Sequence, residues 1–376
     1  MVYLDNAATT PVFREVLDRL PFYYQEYFSN PSSIHREGQK ARHLVEKSRF
    51  NIATVLGCSE EELFFASSGT ESNNTVLFGL ADTFASKKHI LLSPIEHKSV
   101  LIPGKKLVSK GFVVEFLKVD EEGVVDLDHL KRSITDKTLL VAVLHGNNET
   151  GVLQDIEVIG RICRERGVFF FTDAVQSFMK EDINLDFVDF LSISGHKINA
   201  PKGIGVLYKR KGIQISPLIY GGGQEKGLRS GTENVQLIAS LWDAIKVWLD
   251  NKHSFREKLL SLKNRFEDTL IHEIPEVRIV SKGTKRLPNI STVIFPKVDA
   301  QSLLIALSSE GVYVSSGSAC SSGTPTPSHV LLAMGYSERE ALSSLRFSFG
   351  VMNSLEDVDT AVDKLKSVYK NLSLFF

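Results

Sequence analysis

Two polar residues follow two apolar segments of the sequence. Asp173 ends the segment 169–173, and Lys197 ends the run SGHK at 194–197, directly after the apolar segment 187–193. Because the carboxyl ends of parallel strands meet at one edge of a sheet, where ligands bind, we expect both side chains at that edge. Singly, Asp173 could cap a helix and Lys197 could be a solvated charge. Together they are what a pyridoxal phosphate site requires, an aspartate for the pyridinium nitrogen and a lysine for the Schiff base.

A helix start further upstream could hold the phosphate of such a cofactor. Ser68 and Glu71 have the spacing of a capping box, which leaves the backbone N–H groups of Gly69 and Thr70 at a helix amino terminus. Helix starts of this kind are common. Glu71 would also repel a phosphate unless its carboxylate points away.

Cys320 lies in the polar segment 315–328, SSGSACSSGTPTPS, which we expect to form a mobile, exposed loop. A free cysteine is usually buried, so its place in such a segment needs a reason. It is either an incidental surface thiol or a nucleophile on a moving arm. We predict that Cys163 lies in the core, and we assign no role to Cys58.

Other common sites are not indicated by the sequence. Three widely spaced cysteines do not form a disulfide framework, and no metal-ligand spacing is present, so no metal is expected. The glycine-rich runs at 221–225 and 229–234 match neither nucleotide-binding fingerprint.

The overall charge does not indicate nucleic acid or an anionic membrane as a partner, and a local basic patch stays open as an alternative. Lys and Arg number 44 against 45 Asp and Glu, a net charge of -1. No stretch reaches the ~18 consecutive apolar residues of a membrane span. The amino terminus has no basic and apolar start typical of a secretory signal, so we predict a cytoplasmic protein.

Short apolar segments alternate with helical patterns from residue 36 to about 250. We predict strands at 90–93, 112–119, 139–145, 168–172, 187–193 and 204–208. Strands that are apolar throughout indicate a mostly parallel sheet between helices, which is an α/β fold. After a long helix over 235–272, shorter strands suggest a smaller α+β unit. We therefore predict a large domain over 12–250 and a small domain formed by 1–11 and 251–376, which carries the loop 315–328.

Motifs in order along nearly the whole chain resemble the pyridoxal phosphate-dependent cysteine desulfurases of the class V aminotransferase family. They are YLDNAATTP at 3–11, SSGTESNN at 67–74, EHKSV at 96–100, NNETG at 147–151, DAVQS at 173–177, SGHK at 194–197, RSGTEN at 229–234, SSGSAC at 315–320 and LRFSFG at 345–350. SSGSAC followed by a long polar segment is similar to the branch with an extended active-cysteine loop. The resemblance implies the aspartate-aminotransferase-like fold, pyridoxal phosphate fold type I.

The resemblance also implies a role for each matching residue. Lys197 would form the Schiff base, Asp173 would pair with the ring nitrogen, and Cys320 would accept sulfur. The other implied contacts are His97 on the ring face, Gln176 at the ring hydroxyl, Gly69, Thr70, Ser194 and His196 at the phosphate, Thr232 at the phosphate from the other subunit, and Asn148 and Arg346 at the substrate carboxylate. His97 and Arg346, taken alone, could equally be a residue at a helix start and a salt-bridge partner beside a strand.

The implied reaction converts L-cysteine to L-alanine and leaves a persulfide on Cys320. The implied partners are a second copy of the chain in a homodimer and a sulfur acceptor, such as an iron–sulfur scaffold or a tRNA-thiolating enzyme. A selenocysteine lyase or a related class V transaminase is an alternative, because both would keep Lys197 and Asp173. Neither accounts as directly for a thiol in the segment 315–328.

Overall fold

Apolar segments form strands and amphipathic segments form helices in the computed structural model, which describes residues 1–84, 86–317 and 326–374. The helices are α1 (Arg14–Glu26), α2 (Arg36–Leu56), α3 (Gly69–Thr83), α4 (Lys98–Val108), α5 (Leu127–Ser133), α6 (Ile156–Glu165), α7 (Val235–Glu273), α8 (Ala300–Ser309), α9 (His329–Ala333), α10 (Glu338–Leu342) and α11 (Leu355–Leu372). The strands are β1 (Val2–Tyr3), β2 (Leu63–Ala66), β3 (His89–Leu92), β4 (Val113–Phe116), β5 (Thr138–Ala142), β6 (Phe169–Asp173), β7 (Phe190–Ser194), β8 (Gly205–Lys209), β9 (Arg278–Ile279), β10 (Ile290–Ile294), β11 (Val312–Tyr313), β12 (Ser315–Ser316) and β13 (Ser344–Ser348).

A seven-stranded sheet carries the strands predicted between residues 90 and 208. Its order is β2-β8-β7-β6-β5-β3-β4. Strands β4, β3, β5, β6 and β7 run parallel, whereas β8 is antiparallel to both of its neighbours. The predicted mostly parallel sheet between helices is confirmed.

Both faces of this sheet are covered, which is why its strands are apolar throughout. Successive side chains of a strand point to opposite faces. Leu91 and Phe170 pack into the core on one face, and their neighbours Leu92 and Phe171 pack into the core on the other. Every one of these four side chains is fully buried. The polar residues at the strand ends are therefore left to form a site at the sheet edge.

A second sheet, antiparallel, has the order β12-β13-β10-β9, and β1 pairs in parallel with β11.

Helix α7 continues across residue 250, the boundary predicted between the two domains. Its first half reaches α1 through an ion pair between Arg19 and Asp243 at 2.6 Å. Its second half packs Phe266 on Phe347 of β13, with ring centroids 4.5 Å apart. The division into domains stays a prediction. Among the described residues, no helix is both long enough and apolar enough to cross a membrane.

Candidate active site

A cavity of about 370 Å³ lies where β6 and β7 end, beside the start of α3 and strand β13. It is lined by most of the residues that the sequence singled out. These are Gly69, Thr70, His97, Asn148, Asp173, Gln176, Ser194, His196, Lys197 and Arg346. The structure therefore brings together residues from segments that are up to 277 positions apart, counted from Gly69 to Arg346.

Asp173 is held by two uncharged donors. Its Oδ1 accepts the N–H of Val175 at 2.9 Å, and its Oδ2 accepts Nδ2 of Asn73 at 2.7 Å. The residues that follow form turns, so Asp173 caps no helix. One carboxylate oxygen is thus tied to its own turn and the other to α3, which fixes the side chain at the cavity.

Lys197 ends a short 3₁₀ turn, Gly195–Lys197, that follows β7 directly. Its Nζ donates to the carbonyl oxygens of Ala7 and Ala8 at 2.5 and 2.6 Å. Burial lowers the pKa of Lys197 to about 7, and the charges of Arg346 and Lys180 act in the same direction. An amine with this pKa is about half unprotonated at pH 7, and that fraction can act as a nucleophile or base.

His97 is the N-cap residue of α4 and is held in one tautomer. Its Nδ1 accepts the N–H of Ser99 at 3.1 Å and lies 2.7 Å from the Ser99 hydroxyl. Asn73 donates to that hydroxyl at 2.8 Å, so the hydroxyl proton is free to point at Nδ1. Nδ1 is thus an acceptor, and we assign the proton of the neutral ring to Nε2. Burial lowers the pKa of His97, which favours this neutral form.

At the start of α3, the Glu71 carboxylate points away from the N–H groups that would bind a phosphate. Ser68 accepts the N–H of Glu71 at 3.2 Å, which is half of the predicted capping box. The Glu71 carboxylate bonds instead to the N–H and hydroxyl of Ser67 and to Nε of Arg229 at 2.9 Å. Burial alone would raise the pKa of Glu71, but Arg229 and Ser67 hold it below its usual value. The carboxylate is therefore paired, and the N–H groups of Gly69 and Thr70 remain available to an anion.

Arg346 lies on β13 with its guanidinium held on two sides. One nitrogen donates to the backbone oxygen of Asn148 at 2.8 Å, and another pairs with Oδ1 of Asp5 at 2.8 Å. Its Nε is buried and has no partner within the described chain. Arg346 is therefore both a salt-bridge partner and a residue of the cavity lining, so the two alternatives do not exclude each other.

Comparison with known proteins gives the family. The model of aminotransferase class V matches residues 2–361. A putative cysteine desulfurase IscS 1 of Bacillus subtilis is 42% identical, with 99% of both chains covered. A cysteine desulfurase IscS of Dictyoglomus turgidum is 41% identical, covering 99% of this chain and 95% of that one. The chain belongs to the cysteine desulfurases of the class V aminotransferase family. The resemblance carried by the motifs is confirmed.

Solved structures agree with this assignment of the cysteine desulfurase fold. A NifS-like protein superposes with a TM-score of 0.92 at 38% identity, covering 98% of this chain and 99% of its own. A structure of SspA in complex with cysteine superposes with a TM-score of 0.83 at 36% identity, covering 94% and 100%. The predicted fold class is thereby confirmed.

Two predicted site residues of this cysteine desulfurase, Cys320 and Thr232, are not in the described lining of the cavity. Cys320 lies outside the described residues. Thr232 is exposed and does not line the cavity of its own chain, so its contribution to another subunit stays a prediction. Gln176 lines the cavity, and its amide donates to the backbone oxygen of Ala7 at 2.8 Å.

Sequence reasoning gave no role to several groups that the structure of this cysteine desulfurase brings to the site. They are Asn73 and Ser99 beside Asp173 and His97, the backbone oxygens of Ala7 and Ala8 at Lys197, and Glu149. All of them lie within the motifs that resemble the family, so the motifs indicated that these positions belong to the site. What they touch, however, depends on packing between distant segments.

Proposed function

We propose that this enzyme uses pyridoxal phosphate to remove sulfur from L-cysteine and passes the sulfur to Cys320. The observation that carries the proposal is the amine of Lys197, with its lowered pKa, in one cavity with Asp173 and the start of α3. The net reaction is L-cysteine plus the Cys320 thiol giving L-alanine plus a Cys320 persulfide, in which a carbon–sulfur bond breaks and a sulfur–sulfur bond forms.

The cavity has the chemistry that this cofactor needs. Lys197 would hold its aldehyde, Asp173 its ring nitrogen, and Gly69, Thr70, Ser194 and His196 its phosphate. Oδ1 of Asn73 and Nε of Arg346 are buried in the lining without a partner among the described residues, which is expected where a polar ligand belongs. His97 would lie on the ring face and Gln176 at the ring hydroxyl, and Thr232 would reach the phosphate from a second subunit. When bound, the cofactor supplies an electron sink for negative charge at the substrate Cα.

The residues of the chain divide the remaining work. Nζ of Lys197, neutral for much of the time near pH 7, would take the Cα proton. Asp173 would keep a proton on the ring nitrogen, and His97 would present its Nε2 proton to the reacting groups. Asn148 and Arg346 would bind the substrate carboxylate, Arg346 through its remaining donor. A thiolate at Cys320 would attack the substrate sulfur.

The partners of the reaction are also proposed. A solved relative, SspA, binds cysteine, which supports L-cysteine as the substrate. The IscS name of the relatives supports delivery of sulfur to an acceptor protein, such as an iron–sulfur scaffold or a tRNA-thiolating enzyme. We further propose a homodimer in the cytoplasm and the branch of the family with a long active-cysteine loop.

Borohydride reduction of the purified protein tests the proposal. Reduction should fix the cofactor on the peptide that contains Lys197, as peptide mapping by mass spectrometry would show. Incubation with L-cysteine should add one sulfur atom to Cys320 and release alanine, and Cys320→Ala should abolish the persulfide. A reduced adduct on another lysine, or alanine release that does not need Cys320, would overturn the proposal.

A further inference from the structure

Glu149 is a buried carboxylate in the lining of the cavity, and the proposed mechanism leaves it without a role. The turn at 147–151 fixes its backbone, because Oδ1 of Asn147 accepts the N–H groups of Glu149 and Thr150, each at 2.8 Å. Thr292 on β10 donates to the carbonyl oxygen of Glu149 at 2.6 Å. Only 4% of the residue is exposed. Burying a carboxylate costs free energy, so the buried carboxylate of Glu149 needs partners that offset this cost.

The first partner is Ser328, the N-cap residue of α9. The Ser328 hydroxyl lies 2.5 Å from Oε2 of Glu149 and accepts the N–H of Leu331 at 3.2 Å. Since the hydroxyl accepts from Leu331, its own proton is directed at Glu149. Glu149 is therefore the acceptor, and it holds the start of α9 against the turn at 147–151.

The second contact is steric, a close approach to the backbone at Gly317, which follows β12. A Cβ placed on Gly317 would lie 2.5 Å from Oε2 of Glu149 and 3.5 Å from Cβ of Ser328. The same carboxylate oxygen thus lies between the chain at residue 317 and the chain at residue 328. Glycine is needed at 317 because any side chain would displace the carboxylate.

The surrounding charges favour an ionised Glu149 but do not pair with it closely. Burial raises the pKa of Glu149 to about 7, against the lowering effects of the Ser328 bond and of the positive charges of Arg346 and Lys98. Glu149 forms no ion pair within the described residues, so its bond to Ser328 is the one that directs the side chain. Because one oxygen of Glu149 contacts two chain segments, its position can determine the positions of both.

We propose that Glu149 is a positioning residue that holds residues 328–331 through its hydrogen bond to Ser328 and packs against the chain at residue 317, beside the cavity. By fixing these two segments, it determines where the chain leaves and re-enters the part that contains Cys320. The inference rests on the proposed function, because its effect on the reaction requires Cys320 to accept the sulfur.

Substitutions at 149 and 317 test the proposal in the holoenzyme. Glu149→Ala should lower kcat for alanine release about ten- to a hundredfold, the cost of misplacing a reacting group. KM for L-cysteine should stay within about twofold, because the substrate contacts are unchanged. Glu149→Gln should recover most of the rate, since its amide oxygen still accepts from Ser328. Loss of the same rate in Glu149→Gln, or a large change in KM with kcat unchanged, would overturn the proposal.

A double-mutant cycle separates this role from general damage. Gly317→Ala should displace the carboxylate and reproduce the kcat loss of Glu149→Ala, and the double variant should be no slower than either single one. Additive losses would overturn the proposal. Ser337→Ala is the matched control, because Ser337 caps α10 as Ser328 caps α9 but bonds to Glu340. It should keep its kcat.

Hydrogen exchange gives a readout that does not depend on turnover. Glu149→Ala should speed amide exchange in peptides covering 312–317 and 328–334, whereas Ser337→Ala should speed exchange only near 337–343. If the wild-type enzyme were inactive toward L-cysteine, the proposed function would fall whatever the exchange rates. If the wild type were active and Glu149→Ala left both exchange and kcat unchanged, this inference alone would fall.

Discussion

The cavity has two sides whose charged side chains differ in their bonding partners. We define the sheet side as Gly69, Asp173 and Lys197. Within the described part of the chain, Asp173 and Lys197 bond only to uncharged groups, which are the amide of Asn73 and backbone N–H and C=O groups. On the loop side, defined as Glu149 and Arg346, Arg346 is paired with Asp5, and Glu149 is tied to Ser328. Lys197 on the sheet side can thus change its protonation during a reaction, whereas the guanidinium of Arg346 on the loop side keeps its charge.

This difference indicates that the sheet side carries out the chemistry and that the loop side positions the substrate and the chain. Among the residues that the structure describes, no carboxylate lies at bonding distance from Lys197, so burial can lower the pKa of Lys197 to about 7. A guanidinium is a permanent cation with a planar set of donors, which makes Arg346 suited to binding a carboxylate but not to moving a proton. We therefore expect substitutions on the sheet side to reduce kcat, and substitutions of Arg346 to raise KM.

Lys197→Ala should have the largest effect, because it removes the group proposed to bond to the cofactor and to move the Cα proton. We expect alanine formation to fall by about 10³-fold or more. Borohydride should then fix no cofactor on the protein. Lys202→Ala, at an exposed lysine five positions further on, is the control and should keep normal activity. A Lys197→Ala enzyme with most of its activity would show that the sheet side does not carry the chemistry.

Two aspartates at opposite edges of the sheet give a second test. Asp173→Asn removes the negative charge beside the ring nitrogen but preserves the size of the side chain, so we expect kcat to fall about 100-fold. Asp189 precedes β7 and holds the N–H of Phe170 and Nε of Arg210 at 2.8 and 3.0 Å. Asp189→Asn should lower the free energy of unfolding by about 1–3 kcal/mol and leave kcat unchanged. Kinetics together with urea unfolding of both variants would separate the two roles, and equal effects on kcat would contradict them.

Arg346→Lys tests the loop side. A lysine keeps the charge but loses the planar two-point geometry, so we expect KM for L-cysteine to rise about ten- to a hundredfold with a smaller change in kcat. Arg286 is the matched control, because it is buried and forms a two-point pair with Glu267 at 2.8 and 2.9 Å. Arg286→Lys should lower stability and leave KM unchanged. A loss confined to kcat in Arg346→Lys would remove the distinction between the two sides.

The sheet side could be predicted from sequence because its residues follow their strands directly. Asp173 ends β6, and Lys197 comes three residues after the end of β7, so the direction of the strands alone brings them together. The helix start at Gly69 was likewise visible in the sequence. The strands themselves were predictable because their burial on both faces makes them apolar throughout.

The loop side and the inner contacts could not be predicted in the same way. The bond between Glu149 and Ser328 joins residues 179 positions apart, and the pair Arg346–Asp5 joins residues 341 apart. No local pattern shows that Glu149 is buried or that the backbone oxygens of Ala7 and Ala8 meet Lys197. These contacts arise when the segment 3–11 and the second sheet pack against the first, which spacing along the chain does not report.

Ser99→Ala should have the smallest effect and acts on His97, which lines the same cavity. The Ser99 hydroxyl donates to Nδ1 only while the ring is neutral, so its removal destabilises the neutral form. The pKa of His97, which burial holds below its ordinary value, should therefore rise. The acidic limb of the pH profile of kcat/KM should move to higher pH by about half a unit, because the Ser99 N–H remains as a donor. Ser48→Ala is the control, since Ser48 is also buried but its hydroxyl bonds only to Leu44 among the described residues. A limb that stays in place, or moves to lower pH, would mean that Nδ1 is not the acceptor and that His97 holds its proton on the side facing Ser99.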